Sequence, residues 1–299
     1  MGAVASAPVT APVMLPATAA PAPWAPASVV PLVGLRPAEA RGMEAGSWFA
    51  GLSPGLRQAI LARSRVQRVR RGTTLLRRGS PATDWVGVAG GALGLGTRGR
   101  DGRTFTLDML GPGDWYGDIA LIDGSAVDLD IVAQADSTVL LVDQRDLQQL
   151  MLAQPELRAA LLMLDCRRLR HMFRRLEEVQ TLTLSARVAL QLQRLLRQFG
   201  LPGRPGWPAG QAVACAPPPS PAPPPAPQHI GLPLTQGDLA SLLGASRQRI
   251  NHALRQMQAL GILGAVHGLI EVRQPGRLAE VAQGRLVLDR QGPQRSGQG

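Results

Sequence analysis

The sequence contains no lysine, and all 32 of its basic residues are arginine, against 21 acidic residues. Arginine, alanine, glycine and proline are abundant together, as is typical of GC-rich bacterial genomes, so the arginine content alone says little about function. The net charge of +11 still favours a polyanionic partner, because a positive field attracts phosphate backbones.

Cysteine and histidine are also scarce, with two and four residues, and only His171 and Cys166 lie close together in sequence. This scarcity argues against a disulfide framework, a zinc site and an iron-sulfur cluster. No apolar run approaches the roughly 18 residues that a membrane span needs. The first basic residue is Arg36, too late for a secretory signal. We therefore expect a cytoplasmic protein with no membrane partner.

Segments rich in proline or poor in pattern divide the chain. Residues 1–35 are expected to form a disordered Ala/Pro-rich tail, because they cannot bury enough surface to offset the entropy lost on ordering. Residues 201–228 form a second Pro-rich segment, expected to be extended and solvated. This segment could be an inert spacer, allow the parts on either side to move independently, or dock a partner. Residues 285–299 are expected to be a frayed tail.

Short apolar runs broken by Gly and Asp characterise the region assigned as the first domain, residues 36–153. Such runs, DWVGVAGGALGLGT and STVLLVD among them, predict a compact all-β roll or barrel. Asp101 and Gly102 predict a tight hairpin turn. The G-x-G-x-x-G string that begins at Gly94 leads into this hairpin and not into a helix, so we do not interpret it as a nucleotide-binding loop.

A helical period follows, over residues 154–180. Apolar residues recur along it at heptad-like spacing: Leu162, Leu169, Met172, Leu176 and Val179. A helix of about 24 residues is roughly 36 Å long, and such a seam suits pairing with a second copy of the chain. We interpret it as a dimerisation helix. The alternative is that the seam packs on the β-roll of the same chain.

Residues 181–284 are assigned as the last domain, and two helices joined by a tight turn are predicted in its second half. Thr235 and Asp238 are spaced as in a capping box, and the first helix stops at Gly244. A second helix follows after a tight turn, and two short apolar runs around His267 predict a β-hairpin wing. This order predicts a winged helix-turn-helix, with the Pro-rich segment as an insert in the domain.

The second helix of a helix-turn-helix enters the major groove, where its first turns meet base edges. Its outward face carries side chains of the types that bond guanine or adenine: Arg247, Gln248, Asn251 and His252. Ser246 and Arg255 are better placed for phosphates, which position a protein without reading sequence. The alternative is a merely solvated helix face. Double-stranded DNA is the expected partner.

The order of these parts resembles the cyclic-AMP receptor protein and fumarate-nitrate regulator family of bacterial transcription factors. The resemblance rests mainly on LGPGDWYGDIALIDG and LASLLGASRQRINHALRQMQALGIL. It implies an α+β protein: an N-terminal jelly roll of the cyclic nucleotide-binding type, a long dimerisation helix and a C-terminal winged helix-turn-helix. It also implies a homodimeric activator or repressor of transcription that binds a pseudo-palindromic site. RNA polymerase is an expected partner if the protein activates.

The resemblance places an effector pocket around an acidic stretch, residues 117–133, which contains four aspartates and no basic residue. Here the sequence departs from the family pattern. Gly117 and Asp118 match the glycine and acidic residue that hold the ribose of a cyclic nucleotide. The Arg-Ser pair that would hold the cyclic phosphate falls on Asp128 and Leu129. Because a carboxylate repels phosphate, we expect a pocket unsuited to cyclic AMP and predict no cofactor. The alternative is that these aspartates only solvate surface turns.

Two further sets of residues bear on this pocket. The hydroxyl pair of the dimer helix that would reach the base falls on Met172 and Phe173. Trp85, Trp115 and Tyr116 could line an apolar effector pocket or belong to the core.

Two rival functions remain open. The first is a ligand-sensing roll that acts mainly through protein partners, with weak or vestigial DNA binding. The second is an enzyme, which we do not expect, because the sequence has no Ser-His-Asp or Cys-His grouping and no metal-ligand spacing.

Overall fold

The structure is a computed structural model and describes residues 34–99, 104–202, 228–230, 234–266 and 269–288. All of them belong to one of the two units into which the chain divides, Leu32–Gly299. Several predictions lie outside the described residues: most of the N-terminal tail, the Asp101-Gly102 turn, the interior of the Pro-rich segment, His267 and the last 11 residues.

The first domain opens with three helices that sequence analysis did not separate from the roll: α1 (Pro37–Ala45), α2 (Ser47–Ala50) and α3 (Pro54–Ala62). The strands and one short helix of the roll follow: β1 (Arg65–Val69), β2 (Thr74–Leu76), β3 (Asp84–Gly90), β4 (Leu93–Arg98), β5 (Thr104–Leu110), β6 (Trp115–Tyr116), α4 (Asp118–Asp123), β7 (Asp130–Ala133) and β8 (Ser137–Asp143). These strands form two antiparallel sheets, ordered β1-β8-β3-β6 and β2-β7-β4-β5. The predicted β-roll is confirmed.

Strands β3 and β8 are buried on both faces, which explains their nearly continuous apolar sequence. One face turns Val86 and Val139 into the interior of the roll. The other turns Trp85 and Leu140 towards a layer of helices. Trp85 is therefore a core residue and does not line an effector pocket.

Helix α5 (Gln144–Ala153) leads into α6 (Pro155–Thr181), which is 27 residues long and lies within one residue of the predicted dimerisation helix at each end. The first turns of α6 are anchored on the roll domain through buried Leu157 and Leu161.

The second domain is built from α7 (Leu184–Phe199), β9 (Gly200–Pro202), β10 (Gln228–Ile230), α8 (Gln236–Leu243), α9 (Arg247–Ala259), β11 (Leu263–Val266), β12 (Leu269–Val272) and α10 (Pro275–Ala282). The predicted capping box is present: the Thr235 hydroxyl accepts from the Asp238 backbone N–H at 3.1 Å, and the Asp238 carboxylate accepts from the Thr235 N–H at 2.8 Å. Gly244 closes α8 at a φ of 59°, which favours glycine. Strands β11 and β12 pair antiparallel as the predicted wing.

The ends of the Pro-rich segment pair with each other. Gly200 lies opposite Ile230 and Pro202 opposite Gln228 in the sheet ordered β11-β12-β10-β9. Helix α7, which precedes the segment, shares one core with α8, α9 and α10. The segment is thus an insert in the second domain and not a tether between that domain and the roll.

The start of the predicted C-terminal tail is packed. Leu288 is buried in the core of the second domain and Leu286 packs partly against it. The expectation of a frayed end is therefore wrong for residues 285–288, whose two leucines extend the apolar pattern of α10.

Candidate functional site

Helix α9 presents a polar face to solvent and an apolar face to the domain core. Its apolar face is buried through Ile250, Ala253, Leu254 and Met257. The predicted contact residues on the opposite side are exposed: Ser246, Arg247, Gln248, His252 and Arg255. Ser246 also caps α9, because its hydroxyl accepts from the Arg249 N–H. These residues are exposed together on one side of α9, and their contacts with DNA remain predictions.

Asn251 differs from the other predicted base-reading residues. It is half-buried, and its side-chain oxygen accepts a hydrogen bond of 3.1 Å from the Gln236 amide of α8. Asn251 is therefore held in place by α8 before any DNA is bound.

Two arginines near α9 were missed in the sequence. Arg249 is exposed on the flank of α9, and Arg187 of α7 donates to the Leu243 carbonyl at the end of α8. Burial, together with the charge of Arg249, lowers the pKa of Arg187. Both add positive charge beside the turn between α8 and α9. Arg249 lies one helical turn after Ala245 of the tight turn, so its spacing in the sequence could have indicated it. Arg187 is distant in sequence and could not have been found in this way.

The outer face of α6 carries a continuous apolar stripe, here called the seam. Its members are exposed in the single chain: Leu162 (66%), Leu169 (54%), Phe173 (60%), Leu176 (61%) and Val179 (55%). Met172, assigned to the seam from its spacing, is half-buried and faces a cavity, and Phe173 lies on the seam in its place. The alternative that the seam packs on the roll of the same chain is wrong.

Asp118 is fully buried at the start of α4 and pairs with Arg168 of α6. The guanidinium Nη1 lies 3.0 and 2.8 Å from the two carboxylate oxygens of Asp118, and 2.7 Å from Asp165. Arg168 also donates to the Trp115 carbonyl and stacks over the Tyr116 ring at 5.1 Å. Burial raises the pKa of Asp118, and the Arg168 charge opposes that increase. The carboxylate expected to hold a ribose is thus already occupied.

The rest of the acidic stretch divides into two roles. Asp123 accepts from the backbone and hydroxyl of Ser125, which lowers its pKa, and Asp130 accepts from the Arg78 N–H at 2.8 Å. These two stabilise turns, as the structural alternative proposed. Asp128 is exposed and lacks such a contact among the described residues. Burial raises the pKa of Tyr116, and the negative charge of Asp128 raises it further. Asp128 is not among the residues that line the cavity described below.

A cavity of about 980 Å³ lies between the roll and helices α6 and α7. Strands β4 to β6 form one wall, with Leu95, Trp115 and Tyr116, and α6 contributes Arg168 and Met172. The structure therefore brings Tyr116, Arg168 and Met172 together. Phe173 points outward and Leu129 packs partly in the roll core, so neither belongs to this cavity.

Comparisons with known proteins agree with this architecture. The family described as cyclic nucleotide-binding domain matches residues 66–154, and the one described as Crp-like helix-turn-helix domain matches residues 186–281. The chain is 25% identical over 235 residues to the CRP-like cAMP-activated global transcriptional regulator of Mycobacterium tuberculosis, covering 79% of this chain and 96% of the relative. It is 28% identical over 244 residues to the cyclic AMP receptor protein of Thermus thermophilus, covering 81% and 99%.

Solved structures share the fold. FixK2 of Bradyrhizobium japonicum superposes with a TM-score of 0.59 at 23% identity, over 73% of this chain and 96% of that protein. The fold and domains define a two-domain transcription regulator, with a cyclic nucleotide-binding domain joined to a helix-turn-helix DNA-binding domain. The chain belongs to the cyclic-AMP receptor protein and fumarate-nitrate regulator family, as the resemblance in sequence implied. No helix in the described part is long and apolar enough to cross a membrane.

Proposed function

We infer that two copies of the chain pair through the seam of α6, bind a pseudo-palindromic DNA site through their α9 helices, and do so without cyclic AMP as effector. The exposed seam is the observation that carries this proposal. A contiguous apolar stripe on a single chain marks an interaction surface, and burying it contributes roughly 25 cal/mol per Å².

Symmetry supports the form of the DNA site. A twofold axis along two paired α6 helices relates two copies of α9, so each reads one half-site in opposite orientation. In helix-turn-helix dimers the half-sites lie about one helical turn, roughly 34 Å, apart.

The test is selection from a random duplex pool with purified, ligand-free protein, followed by anisotropy titration of the selected site at two salt concentrations. A pseudo-palindrome with retained tight binding is the expected result. Weak, steeply salt-dependent binding without sequence preference would instead favour a roll that acts mainly through protein partners.

We predict that Arg247→Ala weakens binding to the selected site by about 1 to 3 kcal/mol and relaxes specificity at one position in each half-site. Arg247 is exposed in the first turn of α9, where guanidinium groups bond guanine. The matched control is Arg255→Ala, which removes the same charge two turns further along. It should weaken binding about equally for all sequences and lower the salt slope by about one for each half-site. An unchanged binding motif in Arg247→Ala would refute the assigned base contact.

Calorimetry is expected to detect no saturable binding of cyclic AMP at micromolar concentration. Asp118 is occupied by Arg168, and the resemblance to the family puts Asp128 at the position of the arginine that holds the cyclic phosphate. The matched variant Asp128→Arg/Leu129→Ser introduces the phosphate-binding pair and should gain affinity by about tenfold or more. Robust binding by the natural chain, or no gain in the variant, would show that Asp128 does not exclude the nucleotide.

A further inference from the structure

The cavity between the roll and the helices reaches as far as α7. Helix α7 forms its far wall through Leu190, Gln191 and Gln198, and α6 contributes Leu169 and Met172. A partly apolar cavity of about 980 Å³ is within the range of small-molecule sites.

The carboxylates in the cavity wall already have partners. Asp165 lies 2.7 Å from Arg168, and Asp114 accepts from the Gln198 amide at 2.7 Å. Asp108, the third, lies 3.6 Å from Arg175. Asp108 and Asp165 are therefore ion-paired, whereas the donor to Asp114 is a neutral amide.

The basic side chains of the wall are not all balanced. Arg168 pairs with Asp118 and Asp165, and Arg194 forms a two-point ion pair with Glu178 of α6. Arg174 and Arg197 also line the cavity, and neither has a hydrogen bond or ion pair among the described residues. Two guanidinium groups without an anionic partner in the described ranges therefore lie on the side of the cavity formed by α6 and α7.

Two buried polar atoms of the wall lack partners in the described part of the chain, namely Trp115 Nε1 and His171 Nε2. Trp115 is only 2% exposed, and both residues line the cavity. Both nitrogens are closed off from the cavity space, so a ligand in the cavity would not contact either of them.

We propose that this cavity binds a small apolar molecule carrying one anionic group, with the anion held by Arg174 and Arg197 and the apolar body against Met172 and Leu190. The anion then enters from the helix side, away from Asp128. This inference rests on the proposed function, because it names the class of effector that replaces cyclic AMP.

The position of the cavity connects such a ligand to DNA binding. Its α6 wall adjoins the seam, because Leu169 belongs to both, and its α7 wall belongs to the core of the second domain. Arg175 joins the two walls to the roll, because it donates to the Leu107 carbonyl of β5 and to Gln191 of α7 at 2.9 Å. A ligand there contacts both elements whose arrangement sets the positions of the two α9 helices.

The test uses two probes of nearly equal shape, 2-naphthoate and its neutral amide 2-naphthamide, titrated into the full chain by calorimetry. Naphthoate is expected to bind at least about tenfold tighter than the amide. Arg174→Gln/Arg197→Gln should remove this difference. The control Arg70→Gln/Arg71→Gln makes the same charge change at exposed roll residues away from the cavity and should keep it.

Met172→Trp fills the cavity and should abolish binding of both probes. Equal affinity for the two probes, no binding of either, an equal loss in the control variant, or unchanged binding in Met172→Trp would each overturn the proposal. Because no DNA is present, failure here is distinct from failure of the DNA selection.

Discussion

Arg168→Met is expected to lower the free energy of unfolding by about 3 to 5 kcal/mol, nearer the lower figure because the Arg168 side chain is 23% exposed. Methionine keeps the length of the side chain but removes the guanidinium that faces Asp118. The fully buried Asp118 carboxylate would then be left without a counter-charge, and the Trp115 carbonyl without its donor. Urea unfolding at one fixed protomer concentration measures the loss.

Two further variants separate this buried pair from a general effect of losing an arginine. Arg167→Met changes the exposed neighbour on the same helix and should alter stability by less than about 0.5 kcal/mol. Asp118→Leu/Arg168→Met removes both charges and should recover most of the loss. If the double variant is as unstable as Arg168→Met alone, packing and not the unpaired charge explains the effect.

The loss in the free energy of unfolding caused by Arg168→Met should also depend on pH. Without the guanidinium, burial holds the pKa of Asp118 well above the value of about 3.9 found in unfolded chains. An acid whose pKa is raised by folding destabilises the native state when it is ionised, and this penalty falls as the pH drops through the raised pKa. The deficit relative to the natural chain should therefore be larger at about pH 8 than at about pH 5.

Local patterns predicted the helical parts well. The limits of α6, the capping box of α8 and the polar face of α9 each depend on residues within one or two turns of each other, so periodicity and capping rules are sufficient. Helices α1 and α2 are short and have few apolar repeats, which is why they were not separated from the roll.

The contacts between α6 and the roll could not be predicted in the same way. Arg168 and Asp118 are 50 residues apart, and only the packing of α6 on the roll brings them together. Spacing assigned Met172 to the seam, where Phe173 lies instead, and this error has a simpler cause. Neighbouring residues on a helix differ by about 100° in direction, and heptad spacing alone does not decide which of the two points outward.

Leu169→Asp is expected to raise the dissociation constant of the dimer by about a thousandfold. Removing a buried leucine costs about 2 to 5 kcal/mol, and a twofold axis places two copies of Leu169 in the same interface. Leu169 is 54% exposed in the single chain and lies near the middle of the seam, one turn before Phe173. Sedimentation across a range of protein concentrations would measure the change. Affinity for a pseudo-palindromic site should fall with it, because a single protomer reads only one half-site.

Val287→Asp is the matched control, since Val287 is 76% exposed and lies outside α6. It introduces the same charge on an exposed apolar residue and should leave both the dimer and DNA affinity unchanged. If Leu169→Asp stays dimeric at the concentrations where the natural chain does, the seam is not the dimer interface. If it becomes monomeric yet binds the full site as tightly as before, the chain does not recognise DNA as a homodimer. Only joint loss of dimer and full-site affinity in Leu169→Asp, with both retained in Val287→Asp, links the exposed stripe of α6 to DNA binding by α9.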